Sequence, residues 1–265
     1  MSAQVTVGVS LKMYFGHHEA LDWCARVAGR VRQHPGVMSG AVRFFVIPTY
    51  LQIGPALDAF RDTPVLVGAQ DVSPYECGPY TGEVAAAELV EVGARIAEIG
   101  HAERRRLFGE TDAIIAAKAA ATLRHGATPV LCVGETQPQT PTDSATTTVA
   151  QLQACLAGVP DGAVIIAYEP VWAIGAPHPA PADHITTVTT GLSAAIASDP
   201  ARIGSVVIYG GSAGPGLLTR LGASVDGVFL GRFAHDPDAL VSVLDEASVL
   251  ASARQGLRSS GEVHA

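Results

Sequence analysis

Ala163-Val164-Ile165-Ile166-Ala167-Tyr168-Glu169-Pro170-Val171-Trp172-Ala173-Ile174-Gly175 runs from a short apolar segment into a glutamate, a proline and a loop ending on glycine. The apolar segment is continuous and rich in β-branched residues, which marks a strand buried on both faces. A carboxylate at its end, followed at once by proline, stands where the chain leaves the sheet. Pro170 fixes φ at that exit and Gly175 frees the far end. The result is a carboxylate on a firm base with a loop able to close over it. An isolated glutamate of this kind also describes a solvated strand end, so the other strand ends must decide.

Working outward, apolar, β-rich runs recur about every thirty residues. They place strands at residues 5–10, 42–47, 65–70, 95–99, 128–133, 163–168, 205–209 and 227–230. Between them, segments 83–92, 112–124, 144–156 and 182–197 carry alanine and spaced apolar residues at helical period. Eight alternations without a break in composition predict a single-domain (β/α)8 barrel over residues 1–251. An open doubly wound sheet is the alternative, but the first βα turn lacks the G-x-G-x-x-G of a dinucleotide fold. Residues 252–265, with Arg-Gln-Gly-Leu-Arg-Ser-Ser-Gly, are expected to form a flexible, solvated tail.

Of the 265 residues, 48% are hydrophobic, enough for the large core a barrel needs. A net charge of -8 argues against a nucleic-acid partner, yet leaves anions open to local backbone N–H groups. Cys24, Cys77, Cys132 and Cys155 show no C-x-x-C pattern, so zinc and redox motifs are not expected, and free thiols suit a reducing cytoplasm. Neither a signal peptide nor a membrane span is expected. His17-His18-Glu19 lacks the i, i+4 spacing of a helical metal pair, so no metal is expected.

A parallel barrel gathers its chemistry at the carboxyl ends of the strands. There the sequence places Ser10 and Lys12 after the first strand, and Gln70-Asp71 after the third. His101 and Glu103 follow the fourth, Cys132 and Glu135 the fifth, and Tyr168-Glu169 the sixth. Gly210-Gly211-Ser212 follows the seventh and Gly231-Arg232 the eighth. Glutamate, histidine and lysine on three strand ends suit proton transfer, and the glycine turns suit phosphate. His101 is expected to open a helix, whose positive end lowers its pKa and favours a neutral imidazole. Lys12 needs an anion, and Glu103 is a candidate. Each residue also has a plainer explanation, as a buried structural histidine or a solvated lysine; their joint placement favours a site.

Lys12-Met13, Gly68-Ala69-Gln70, Tyr80-Thr81-Gly82-Glu83, Gly100-His101-Ala102-Glu103-Arg104-Arg105, Phe108-Gly109-Glu110, Cys132-Val133-Gly134-Glu135, Ala167 through Gly175 and Tyr209-Gly210-Gly211-Ser212 follow one another in a set order. In these pieces the chain resembles the triosephosphate isomerase family over almost its whole length. The resemblance implies Glu169 as the base, His101 as the electrophile and Lys12 as the stabilising cation. It implies phosphate held by Gly175, Ser212 and the strand-eight Gly231, beside the Gly210-Gly211 turn already noted, with Glu103, Cys132 and Tyr168 in support. Arg232, where the family has glycine, is open to two readings: a bidentate partner for the phosphate, or a partner for a carboxylate near the mouth. No cofactor is implied.

Three positions and one loop depart from the family's pattern. Ser10 stands for an asparagine, Ala102 for a serine and Arg232 for the second glycine of the last turn. Ala176-Pro177-His178-Pro179 replaces a Thr-Gly-Lys-Thr loop. Serine beside the reacting carbons leaves room for one more hydroxymethyl group, and the same proton shift then interconverts two tetrulose phosphates. Ser10 and Gly231-Arg232 resemble the L-erythrulose-1-phosphate isomerase branch of erythritol breakdown, so conversion of L-erythrulose 1-phosphate to D-erythrulose 4-phosphate is the expected activity. Ordinary triose phosphate isomerisation, a Schiff-base aldolase using Lys12 and a non-catalytic sugar-phosphate binder remain as alternatives. Met13, Tyr14 and Phe15 form an apolar run in the first loop, and the resemblance pairs it with segment 73–81 of a second subunit, predicting a homodimer.

Overall fold

All eight expected strands form and close on one another in the computed structural model, which describes residues 4–262. They are β1 (Val5–Ser10), β2 (Val42–Ile47), β3 (Leu66–Ala69), β4 (Ile96–Ile99), β5 (Thr128–Val133), β6 (Ile165–Tyr168), β7 (Val206–Tyr209) and β8 (Gly227–Leu230). Every neighbour pairing is parallel, and β1 pairs with β8 to close the ring. The open-sheet alternative is thereby excluded. β1, β2, β5 and β8 have the expected bounds, and β3, β4, β6 and β7 are shorter by one or two residues.

Period-two alternation separates two apolar layers. Val5, Val7 and Val9 of β1 face outward to the helices, in a core shared with Trp23, Leu240 and Leu244. Phe45, Ile96, Val130, Ile165, Ile208 and Phe229 face inward and fill the barrel. Each such side chain contributes roughly 1.5–3 kcal/mol by leaving water, so the interior is packed rather than open. Near the carboxyl ends this filling gives way to polar side chains.

The expected helices appear as Ala86–Glu91, Asp112–Arg124, Pro141–Cys155 and Ala182–Ala197. The third begins earlier than expected because Thr140 caps it, accepting from the Asp143 N–H at 3.2 Å, with Pro141 in the first turn. The solvated-tail expectation is corrected: the last helix, Pro237–Glu262, continues through 252–262. Ala251 is buried, and the buried Arg254 donates to the carbonyls of Val225 at 2.6 Å and Gly222 at 3.4 Å. A sequence of Ser, Arg and Gly carries no apolar signal, yet open carbonyls supply a partner for its arginine. Residues 263–265 lie outside the described residues.

Candidate active site

The strand ends surround a pocket of about 490 Å³. Ser10, Lys12, His101, Glu103 and Glu169 line it, together with Gly175, Gly210, Ser212, Gly231 and Arg232. Three of the expected residues do not. Cys132 is buried and lines a separate, smaller recess together with Glu169. Gly211 is packed against the Tyr209 hydroxyl, which a Cβ there would approach to 2.5 Å. Tyr168 points away from the pocket, toward Glu135 and His184.

Glu169 leaves β6 directly, and its side chain reaches the pocket over Gly210, where a Cβ would fall 2.7 Å from Glu169 Cγ. Burial pushes its carboxyl up to about 8; the Lys12 charge opposes this, while Glu98 and Glu103 add to it. Its Oε2 atom is buried, finds no hydrogen-bond partner among the described residues and lies 3.3 Å from His101 Nε2. A carboxylate oxygen so placed is unsatisfied and has an affinity for protons.

His101 caps the helix Ala102–Phe108, as its sequence position predicts. Its Nδ1 accepts the Glu103 N–H at 3.1 Å. An accepting Nδ1 puts the proton of a neutral imidazole on Nε2, on the Glu169 side. The pKa falls to about 4, chiefly through burial and then through the Lys12 charge. The ring is therefore neutral, as expected, but burial rather than the helix terminus is the leading cause.

Lys12 is the one non-glycine residue with a positive φ, 47°, among the described residues. Such backbone is strained for a side-chain-bearing residue, and Gln70 holds it by donating to the Lys12 carbonyl at 2.8 Å. The ammonium meets Glu103 Oε1 at 3.1 Å. Burial lowers its pKa, but the charges of Glu169, Glu103 and Glu98 more than offset this and leave it raised.

The loop after Glu169 lies over the pocket. Trp172 Nε1 donates to buried Glu135 at 2.8 Å, fixing the near hinge. Ser212 donates its hydroxyl to the carbonyls of Ala176 at 2.7 Å and Ala173 at 3.0 Å, and Tyr209 accepts the Ala180 N–H at 3.1 Å. The Ser212 hydroxyl is thus engaged by the loop, and only its backbone N–H is left for an anion. Exposed Arg232 reaches the same loop, donating to the Gly175 carbonyl at 3.3 Å.

Two groups escaped the sequence reading. Glu98, within β4, is buried and accepts from Ser10 Oγ at 2.7 Å. Its position two residues after inward-facing Ile96 was the available signal. Lys118 lies in a buried network with Asp71 and Glu110 behind the site; a lysine in an alanine-rich helix reads as a solvated face. Among the described residues, no three His, Cys, Asp or Glu side chains converge as a metal would require, and no helix is long and apolar enough to cross a membrane.

The family model described as "Triosephosphate isomerase" matches residues 5–247. An L-erythrulose-1-phosphate isomerase from Pectobacterium atrosepticum is 48% identical over 255 residues, 95% of this chain and 98% of the relative. A triosephosphate isomerase from Leifsonia xyli is 36% identical, covering 88% of this chain and 93% of the relative. The crystal structure of triosephosphate isomerase from Bartonella henselae superposes with a TM-score of 0.78 at 28% identity, covering 92% of this chain and 98% of that one. Closed barrel, strand-end pocket and whole-length similarity agree, and the chain belongs to the triosephosphate isomerase family.

Proposed function

We propose that this chain isomerises a four-carbon ketose phosphate, converting L-erythrulose 1-phosphate to D-erythrulose 4-phosphate through an enediolate. The observation that carries the proton transfer is the unpartnered Glu169 Oε2, buried and 3.3 Å from His101 Nε2. Glu169 takes a proton from the carbon beside the carbonyl and returns it to the former carbonyl carbon. Ketone and hydroxyl exchange places, and no atom is gained or lost. His101, neutral, donates from Nε2 to the carbonyl oxygen and relays a proton between the two oxygens. Lys12 offsets the charge of the enediolate and the phosphate. This division of labour is the one known for triosephosphate isomerase, and it extends to this chain through its family. Backbone N–H groups of Gly175, Ser212 and Gly231, with the Arg232 guanidinium, are suited to the phosphate.

The substrate choice is supported by Ser10, a small side chain lining the pocket beside Lys12 and His101. It is also supported by the 48% identity to a protein named for that substrate. A cytoplasmic role in erythritol breakdown follows from the substrate and accords with four free thiols. A homodimer is part of the same proposal. Met13 is 89% exposed and Tyr14 half-exposed, and Tyr75 and Tyr80 stack at 4.2 Å in the loop 73–81. Phe15 does not join that surface; it is half-buried against the His235 ring at 4.5 Å. Sedimentation at the monomer mass would remove the dimer.

Steady-state kcat/KM on L-erythrulose 1-phosphate and on dihydroxyacetone phosphate, side by side, tests the activity. A preference for the tetrulose of about a hundredfold, on the order of 3 kcal/mol in the transition state, is expected. Preference for the triose would overturn the substrate assignment, and turnover of neither would overturn the catalytic one.

A further inference from the structure

The chemistry above leaves one buried charge in the barrel unused. Ser10 on β1 and Glu98 on β4 both face inward, and the Ser10 hydroxyl donates to Glu98 Oε2 at 2.7 Å across 88 positions of sequence. Ser10 is 2% exposed and Glu98 is 3% exposed. Ser10 lines the pocket while Glu98 stands behind it. Burying a carboxylate costs several kcal/mol unless it is well paired. Filling space beside Ile96 requires only an apolar side chain, as the other inward positions show. Among the described residues, Ser10 is the one side chain that hydrogen-bonds to Glu98. The carboxylate is therefore to be understood through its effect on that hydroxyl.

A serine hydroxyl has one hydrogen and two lone pairs. With its hydrogen directed to Glu98, Ser10 offers the pocket acceptor positions alone. These suit a C–O–H group of a substrate. They do not suit a carbonyl, a phosphate or an enediolate oxygen, each of which is itself an acceptor. We propose that Glu98 is a positioning residue for substrate choice: by taking the Ser10 hydrogen, it makes that hydroxyl an acceptor for the extra hydroxyl of a four-carbon ketose phosphate, which a triose phosphate lacks. The inference rests on the tetrulose phosphate function proposed above. Burial pushes the Glu98 carboxyl up to about 7, with the Ser10 hydrogen bond and the Lys12 charge pulling the other way. The serine thus helps to hold it ionised.

The test compares wild type, Glu98→Leu, Glu98→Gln, Ser10→Ala and the Ser10→Ala/Glu98→Leu double variant on both substrates. Glu98→Leu and Ser10→Ala should each lower the tetrulose-to-triose ratio of kcat/KM by about tenfold, the worth of one good hydrogen bond. On the tetrulose the loss should appear in KM more than in kcat, because that hydroxyl keeps its bonds and charge through the reaction and is held alike in ground and transition states. The double variant should lose no more than either single one. Glu98→Gln, whose amide oxygen still accepts from Ser10, should restore most of the ratio. An unchanged ratio in Glu98→Leu, an equal loss on both substrates or additive losses would overturn the proposal. Should Glu98→Leu fail to fold, an unchanged ratio in Ser10→Ala overturns it equally. Wild type preferring the triose defeats the function itself. Wild type preferring the tetrulose, with variants keeping that ratio, defeats the role of Glu98 alone.

Discussion

Behind the strand ends Lys118 meets Asp71 Oδ1 and Glu110 Oε1 at 2.6 Å each, and Arg104 spans the same two carboxylates, at 2.7 Å from Asp71 Oδ2 and 2.5 Å from Glu110 Oε1. In the pocket, a single lysine faces Glu98, Glu103 and Glu169, and touches Glu103 alone, at 3.1 Å. Two cations answer two carboxylates in the first group, whereas one cation serves three in the second. The first group is balanced in charge, although Glu110 Oε2 is buried without a hydrogen-bond partner among the described residues, and it ties the β3 and β4 ends together. The second is short of positive charge and of hydrogen bonds, and its buried carboxyls bind protons near neutrality. A charge deficit that costs stability is what leaves a carboxylate free to take a proton from carbon.

The contrast breaks most sharply at Glu169. Glu169→Gln should lower kcat by at least ~10²–10⁴ with little change in fold; near-normal turnover would remove this residue from the chemistry. The same variant separates the two groups by pH. The carboxyl titrates near 4.5 when unfolded and near 8 when buried, so the native state holds the extra proton between these values. Wild-type stability from this group is present below pH 4.5 and is lost as pH rises through 8. The loss is at most about 1.4 kcal/mol for each tenfold fall in proton concentration. Glutamine has no proton to lose. Melting temperatures should therefore move in favour of Glu169→Gln between pH 5 and pH 9, and a constant difference would contradict the burial cost.

Lys118→Met attacks the charge-balanced group. It leaves Asp71 and Glu110 buried with Arg104 as their remaining cation. Stability should fall by about 3 kcal/mol, within the range for breaking a buried pair, as read from urea unfolding. A loss under about 1 kcal/mol would mean that the network is already solvated. The smallest effect lies at the rim, where Arg232 is exposed and reaches the loop at Gly175. Arg232→Gly should weaken inhibition by inorganic phosphate by about tenfold, the worth of a charge-assisted contact. Unchanged affinity would assign the guanidinium to the loop alone.

Much of this molecule is determined by its sequence alone, because local signals are strong where strands are fully apolar and helices are capped. The eight strands, their order and the strand-end positions of Lys12, His101 and Glu169 follow from such signals. The capping role of His101 was also legible, since Gly100 follows a strand end and the charged helical segment Ala102-Glu103-Arg104-Arg105 comes next. Glu98 was missed, because its alternation with Ile96 shows which face it shares but not that Ser10 stands across the barrel to meet a buried carboxylate. Arg254 was missed likewise, as its carbonyl partners at Gly222 and Val225 lie far back along the chain. The sequence by itself determined which residues stand at the ends of strands. Only the closing of β8 onto β1 decided which charges are buried together, since burial and pairing depend on distances across the barrel that no local pattern encodes.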